Sequence, residues 1–332
     1  MRQTSASLLH VQDLVAALGP GPWTVEEVLG HGWPYARIRA AVAAGRLVRP
    51  HRGVLAQPPG GPEPEGGSRS IEAEDAGRAA LLVAGADGVL SHDVAGEIHG
   101  LWIPEPRARL VHVRTSGAVR RTDHGMRVRS APLMPDEICT VRGMRVTTII
   151  RTAIDLARGR PVPEALLPLD SAVRLLLGED ARTLREIRPD DVRVVALVHD
   201  LRRNLGRVRG WPGTARVWRA LEQVDPRSES AFESRSRGWI TAAGLPQPEI
   251  AFRVVGASGT TYFSDFGWEE QRVLGEADGF GKYGTSPEEV RRALRAERRR
   301  QRDLEDAGWT FVRWDTSEGS TRPMSRLRRH LT

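Results

Sequence analysis

"TTYFSDFGWEEQRVLGEADG", residues 260–279, is the stretch on which the fold of the C-terminal third turns. "TTYFSDFGW" reads as a strand with Asp265 at its middle, "EEQ" turns the chain, and "RVLGEADG" returns as the next strand. Residues i and i+2 of a strand face the same side, so Glu276 and Asp278 point together. Paired as a hairpin, the two strands bring Asp265 close to both. Three carboxylates on one spot repel each other unless a cation lies between them. Oxygen ligands without Cys or His suit a hard divalent ion, Mg²⁺ or Mn²⁺. Such an ion polarises a phosphodiester and lowers the pKa of an attacking water. The alternative is that these acids are solvated residues at strand ends.

Working outward, "SESAFESRSRGWITAAGLPQPEI" (228–250) reads as a helix carrying Glu229 and Glu233 on one face and ending at Gly244. Glu233 is thereby placed to hold the metal directly or through water. "IAFRVV" is a short strand, "SPEEVRRALRAERRRQRDLEDAG" a long charged helix and "WTFVRWDT" a last strand. The order is helix, three strands, helix, strand. Arginines 291–302 form a solvated helix face or, beside a phosphodiester site, a backbone clamp that reads no sequence. Lys282, in "GEADGFGKYG", is the only lysine among 49 basic residues. A compact ammonium there can shift its pKa where guanidinium cannot.

At the other end, "SLLHVQDLVAALG" has helical apolar spacing and stops at Gly19-Pro20. Thr24 to Glu27 forms a capping box for a short second helix. "WPYARIRAAVAAG" is a third helix with Pro34 in its first turn, and "RLVRPHRGVLA" reads as two short strands around Pro50-His51. Three helices followed by a two-stranded wing is the winged helix-turn-helix order. From His31 to Ala56 there are five arginines (Arg37, Arg39, Arg46, Arg49, Arg52) and no Asp or Glu. Arg37 and Arg39 sit on the helix that enters a major groove in such a fold, the others on the wing.

"QPPGGPEPEGGSRS" (57–70) is a Pro/Gly-rich linker. Beyond it "IEAEDAGRAALLVAG" is helical, Ser91 opens a short helix to Gly100, and "RLVHVRTS" and "GMRVRSAPL" alternate as strands. "RVTTIIRTAIDLARG" is a helix from a Thr cap, with Arg151 and Asp155 as a surface i,i+4 pair. His92 and His99, seven apart with no third ligand nearby, read as packing or capping residues. Residues 160–225 are helical and arginine-rich, with breaks at "RPVPEALLP" and "GWPGT". The expected architecture is therefore α+β and multidomain. It comprises a winged helix-turn-helix (1–57), a linker (58–70), a middle α/β unit with a helical extension (71–225) and an α/β domain (226–332).

The chain of 332 residues is 40% hydrophobic and 27% charged, which is globular composition. No apolar run reaches the roughly 18–20 residues of a membrane span, and the start lacks a cleavage-site pattern. One cysteine excludes an internal disulfide and a Cys-cluster zinc site; a reducing cytoplasm is the expected location. The net charge of +7 favours an anionic partner, DNA above all.

"ESRSR…AGLPQPE…DFGW…GEADGFGKYG…ERRRQRD…AGWTFVRW", across residues 228–331, resembles the PD-(D/E)XK nuclease superfamily, which has a restriction-endonuclease-like fold. More narrowly it resembles the Vsr-like endonuclease-type domain of unknown function of actinobacteria. "GRLVRPHRGVLA", "LSHDVAGEIHGL" and "VTTIIRTAIDLAR" are similar to the AbiEi-type abortive-infection antitoxins, whose N-terminal winged helix is a DNA-binding autorepressor. The first resemblance implies that Asp265 and Glu276 bind Mg²⁺ and position the water. Asp278 stands in the slot the superfamily gives to lysine, and Lys282 follows four residues later as the candidate replacement. Glu233 resembles the helix-borne acid that completes the metal shell, and Glu297 with Arg300 matches the long helix's ExxR. The implied function is a DNA-binding, metal-dependent endonuclease in a phage-defence or toxin–antitoxin setting, with a cognate toxin as a further partner. The alternative is a non-catalytic regulator or antitoxin that keeps the nuclease-like domain as a scaffold.

Overall fold

The local signals at the N-terminus are realised in the computed structural model, which describes residues 5–58, 68–105, 111–115, 121–123, 126–130, 133–279 and 287–332. The first elements are helix α1 (Ser5–Leu18), strand β1 (Trp23–Thr24), α2 (Val25–Gly30), α3 (Tyr35–Ala43) and β2 (Val54–Leu55). Thr24 caps α2 reciprocally: its Oγ1 accepts from the Glu27 N–H at 3.1 Å while Glu27 Oε2 accepts from the Thr24 N–H at 2.7 Å. The expected hairpin around Pro50-His51 is closed by a single Val48–Ala56 bridge. Its second strand pairs instead with β1, Trp23 opposite Leu55. Two residues of strand are too few to leave a sequence pattern. Leu14, Trp23, Val28, Trp33, Ile38, Leu47 and Leu55 form the core beneath.

The next segment holds α4 (Ser68–Ala84), β3 (Val89–Ser91), α5 (His92–His99), β4 (Val111–Thr115), β5 (Arg121–Asp123), β6 (Met126–Ser130), β7 (Ile138–Val141), β8 (Met144–Thr147) and α6 (Ile149–Ala157). The linker expected to reach residue 70 therefore gives way to helix at Ser68. Its strands form one mixed sheet in the order β5-β6-β4-β3-β8-β7. Arg151 and Asp155 are not a surface pair. Arg151 is 1% exposed, with Nη1 2.7 Å from Glu137 Oε1 and Nε 3.2 Å from Asp155 Oδ2. Glu137 comes from the 3-10 turn leading into β7, a long-range contact that i,i+4 spacing cannot reveal. His99 donates from Nε2 to the Thr147 carbonyl at 2.7 Å, a packing role as expected.

Two compact units divide the chain, 1–155 and 156–332. Residues 156–225, grouped by sequence with the middle segment, thus belong with the C-terminal sheet. The second unit runs α7 (Val162–Leu177), α8 (Ala181–Glu186), α9 (Val192–Arg207), α10 (Thr214–Leu221), α11 (Ala231–Ala242), β9 (Glu249–Val255), β10 (Thr261–Trp268), β11 (Val273–Asp278), α12 (Pro287–Asp306), β12 (Thr310–Asp315) and α13 (Thr321–Leu331). "RPVPEALLP" is not a break: Pro163 lies in the first turn of α7 and Pro168 inside it. Every residue from Ala165 to Val173 is buried, and that packing outweighs the hydrogen bond proline cannot donate. Helix α7 lies against α11, where Arg237 meets Asp170, and Asp170 Oδ1 also accepts from the Asp225 N–H at 3.0 Å. Burial pushes the Asp170 carboxyl up, against the opposing charge of Arg237.

The C-terminal sheet has the order β12-β11-β10-β9, with β11 and β12 parallel and the other pairs antiparallel. One core, containing Phe232, Ile250, Phe266, Trp268, Val312 and Trp314, lies towards α11 and α13; another, containing Phe252, Leu274, Leu304 and Trp309, lies towards α12. The molecule is a mixed α+β protein with several sheets.

Candidate functional site

Each unit carries one cluster of charged side chains that the sequence singled out. In the first, α3 buries Ile38 and Ala41, which turns Tyr35 and Arg39 outward at i,i+4. Arg37 is half-buried because its guanidinium lies over the Trp33 ring, 4.1 Å from the centroid. Arg46, Arg49 and Arg52 follow on the connection to β2, Arg49 and Arg52 exposed. Among the described residues none of the five has an acidic partner. The nearby Glu27 is engaged in capping α2.

Several arginines of the second unit are handled differently. Arg185 grips both oxygens of Glu229; Arg193 bonds Asp191 and Glu179; Arg227 bonds Asp225; Arg235 bonds Glu164.

The second cluster surrounds the β10–β11 hairpin. Ladder pairing runs from Trp268↔Val273 to Phe266↔Gly275 and stops there. Two residues further along β11, the Ala277 N–H donates to Asp265 Oδ2 at 2.8 Å, so a side chain replaces the main-chain acceptor. On β9, Ser264↔Phe252 and Phe266↔Ile250 leave Ala251 opposite Asp265, with φ of +51°. This kink in both strands explains why Ile250 and Phe252, which share a face in a regular strand, enter opposite cores.

Glu276 is 6% exposed. Its Oε1 accepts from Ser264 Oγ at 2.9 Å and from Arg300 Nη2 at 2.7 Å, and the same Nη2 donates to the Phe263 carbonyl at 2.8 Å. Glu297 Oε1 accepts from Arg300 Nη1 at 3.0 Å and from Arg313. Arg313 Nη1 lies 3.7 Å from Asp278 Oδ2, because the parallel register sets Arg313 beside Glu276 on the neighbouring strand. The result is an alternating chain, Glu276–Arg300–Glu297–Arg313–Asp278. Burial works against the Glu297 charge, yet the Arg313 hydrogen bond and both guanidinium charges hold its carboxyl below the usual range. Burial likewise opposes the Arg300 charge, and Glu276 and Glu297 together more than offset it, raising Arg300.

Glu233 serves its own helix. Ser230 caps α11; Glu233 Oε2 accepts from the Glu229 N–H at 2.6 Å and Oε1 from Ser230 Oγ at 2.8 Å. Glu229 precedes the helix, so the expected shared helix face does not form. Arg185 of α8 is raised first by its hydrogen bond to Glu229, with further attraction from Glu233 and Asp265.

Asp265 and Glu276 are thus cross-bonded neighbours on adjacent strands, and Asp278 is linked to Glu276 through Arg313, Glu297 and Arg300. Lys282 lies outside the described residues. Oxygen donors of this kind suit Mg²⁺, but among the described residues no three His, Cys, Asp or Glu side chains are grouped to hold a metal ion. As arranged, guanidinium groups supply the positive charge that these acids need. Sequence reasoning missed Ser264, Arg185 and Arg313. Only Arg313 left a signal, as a charge within the apolar "TFVRWD" strand. No helix among the described residues is long and apolar enough to cross a membrane.

No family model matches the chain. The uncharacterized proteins MT2308 and Rv2248 of Mycobacterium tuberculosis (strains CDC 1551 and H37Rv) are each 29% identical to it over 223 residues, 64% of this chain and 74% of theirs. Among solved structures, the Rv2827c protein of Mycobacterium tuberculosis aligns over 68% of this chain and 83% of its own, at 17% identity and a TM-score of 0.38.

Proposed function

We propose that this chain is a DNA-binding regulator of the winged helix-turn-helix kind. It meets the duplex through Arg37 and Arg39 of α3 and through Arg46, Arg49 and Arg52 of the connection that follows. The C-terminal unit, of PD-(D/E)XK nuclease-like plan, serves as a scaffold. The observation that carries the reading is the contrast in pairing: these five arginines have no acidic partner among the described residues, whereas the C-terminal arginines around Glu276 do. Unpaired cations displace condensed counterions from phosphate, and a helix turned outward beside them can reach base edges.

The test is nuclease protection of the DNA upstream of the protein's own coding sequence. A protected segment is expected, and Arg37→Gln with Arg39→Gln should erase it while Glu276→Gln leaves it. An unchanged footprint in the arginine variant refutes the reading. An antitoxin role brings a cognate toxin as protein partner. Co-expression with the adjacent reading frame tests it, and growth that is the same with or without this chain counts against it.

A second reading, metal-dependent phosphodiester hydrolysis, is favoured by the cross-bonding of Asp265 and Glu276 between neighbouring strands. In it Asp265, Glu276, Asp278 and Glu233 would hold Mg²⁺ or Mn²⁺, with Lys282 as the accompanying cation. Supercoiled, linear, mismatched and single-stranded DNA incubated with either metal test it. Cleavage lost in both Asp265→Ala and Glu276→Ala supports it; no cleavage of any substrate by the parent protein refutes it.

A further inference from the structure

Helix α12 has two faces with opposite electrostatic character. Its inner face holds Leu304 in the core and Arg300 on Glu276. Its outer face carries Arg291, Arg292, Arg295, Arg298, Arg299 and Arg302, all exposed. At about 100° per residue these fall within an arc of about 120°, over about 16 Å of helix axis. Glu297 is the only acid between Arg291 and Arg302; it lies towards the inner face and is taken by Arg300 and Arg313. Among the described residues none of the six outer arginines has an acidic partner. Helix α9 of the same unit is also arginine-rich, yet there Arg193 and Arg203 are paired. Like charges at i,i+3 and i,i+4, as at Arg291/Arg295 and Arg295/Arg298, destabilise a helix on its own.

We propose that the outer face of α12 is a second nucleic-acid contact, which grips the DNA phosphodiester backbone without reading bases. The charge is complementary to phosphate, and arginine forks suit its geometry. The face lacks what a protein partner would need. Between Arg291 and Arg302 every position within the arc is arginine, and among the described residues no exposed large hydrophobic lies on α12, whereas protein interfaces are anchored by buried aromatic and aliphatic side chains. The outer arc is centred about 140° around the helix from Arg300, so DNA held there runs along the far side of α12 and not across Glu276. That differs from a clamp over a hydrolytic site. The proposal rests on α12 alone and stands apart from the N-terminal reading.

The experiment is a salt titration of full-length protein binding a random-sequence duplex, followed by fluorescence anisotropy. Each lost phosphate contact flattens the slope of log K against log salt by about 0.9. Quadruple replacement of Arg291, Arg295, Arg298 and Arg302 by Gln should flatten it by about 2–4 and weaken binding at least tenfold at low salt. The Arg291→Gln, Arg295→Gln double variant should show about half that flattening, and both effects should recur in an Arg37→Gln, Arg39→Gln background. Far-UV circular dichroism should match the parent protein, since all four positions are exposed. Should the quadruple variant lose helicity, the double variant decides. Parental slope and affinity in a folded variant overturn the proposal. So does a polyglutamate chain that binds more tightly than the duplex and loses that binding in the variant, because the face would then belong to an acidic protein.

Discussion

If Arg300 is the fixed counter-charge of Glu276, its removal should destabilise the C-terminal unit by an amount the geometry bounds. Arg300→Met keeps much of the side-chain length and deletes the guanidinium. It leaves Glu276, with a side chain 7% exposed, holding only the Ser264 hydroxyl on Oε1, and it withdraws a donor from the Phe263 carbonyl. Breaking a buried pair from one side costs about 3–5 kcal/mol. Arg300 is itself 16% exposed, and Glu297 keeps Arg313, so about 3 kcal/mol is the reasonable figure. For a unit of this size that is about 6–12 °C in Tm, read by scanning calorimetry on the full chain. The companion Arg300→Met, Glu276→Gln should recover more than half of the loss, because the stranded charge is gone. The same variants weigh the two functional readings. Where Glu276 is a latent metal ligand, millimolar Mg²⁺ should raise the Tm of Arg300→Met and leave the double variant unmoved, since a ligand stabilises only the state that binds it. A single variant within 1 °C of the parent protein would refute the counter-charge argument.

Two further predictions follow from packing and protonation. A Cβ added at Gly238 would lie 2.4 Å from Pro163 Cα and 2.8 Å from its Cβ. Gly238→Ala should therefore push α11 off α7 and cost about 1–3 kcal/mol, visible as a lower urea midpoint; an unchanged midpoint would mean the helices yield freely there. Burial holds the His99 imidazole below its ordinary value of 6.5, against the Thr147 carbonyl bond. The unfolded chain then binds the proton more readily, so stability is full above about pH 6.5 and declines as pH falls towards the depressed native value. Comparing Tm at pH 7.5 and 5.5 in the parent protein and in His99→Gln should show a smaller drop in the variant. Equal drops would assign the acid sensitivity elsewhere.

The sequence was most legible where local chemistry is self-sufficient. The Thr24–Glu27 capping box, the stop at Gly100 and the strands around Asp265 and Glu276 each rest on signals a few residues apart, and all three are present. Elements that failed to register depend on distant partners or on too few residues. Strand β1 is two residues long and exists because Leu55 pairs with Trp23. Helix α7 passes through two prolines because α11 covers it. Arg151 is a surface residue by i,i+4 spacing alone, but Glu137, from a preceding turn, closes over it. For the candidate site the limit was similar. Spacing gave the acids but was silent on their counter-charges, since Arg300 and Arg313 reach Glu276 and Asp278 from another helix and a parallel strand.

Those counter-charges alter how composition should be read in this protein. A formal excess of +7 spread over 332 residues says little about partners, because arginine serves cohesion here and, in the proposed reading, recognition as well. What separates the two uses is whether a carboxylate stands within reach. Around Asp170, Glu229, Glu276 and Glu297 arginine binds the fold's own acids, and the net field these pairs project is small. On α3, its following connection and the outer face of α12 no such acid pairs with the arginines among the described residues, so the field projects outward and is available to an anion. Two faces with arginines that have no acidic partner among the described residues, one in each unit, are the ones proposed to bind DNA. If both proposed contacts bind DNA, a duplex long enough to reach both should be bound far more tightly than either face alone accounts for, through effective concentration. Shortening the duplex provides the check. Affinity should fall in a step once the DNA is too short to engage both faces, and a smooth decline proportional to length would mean that only one of them binds.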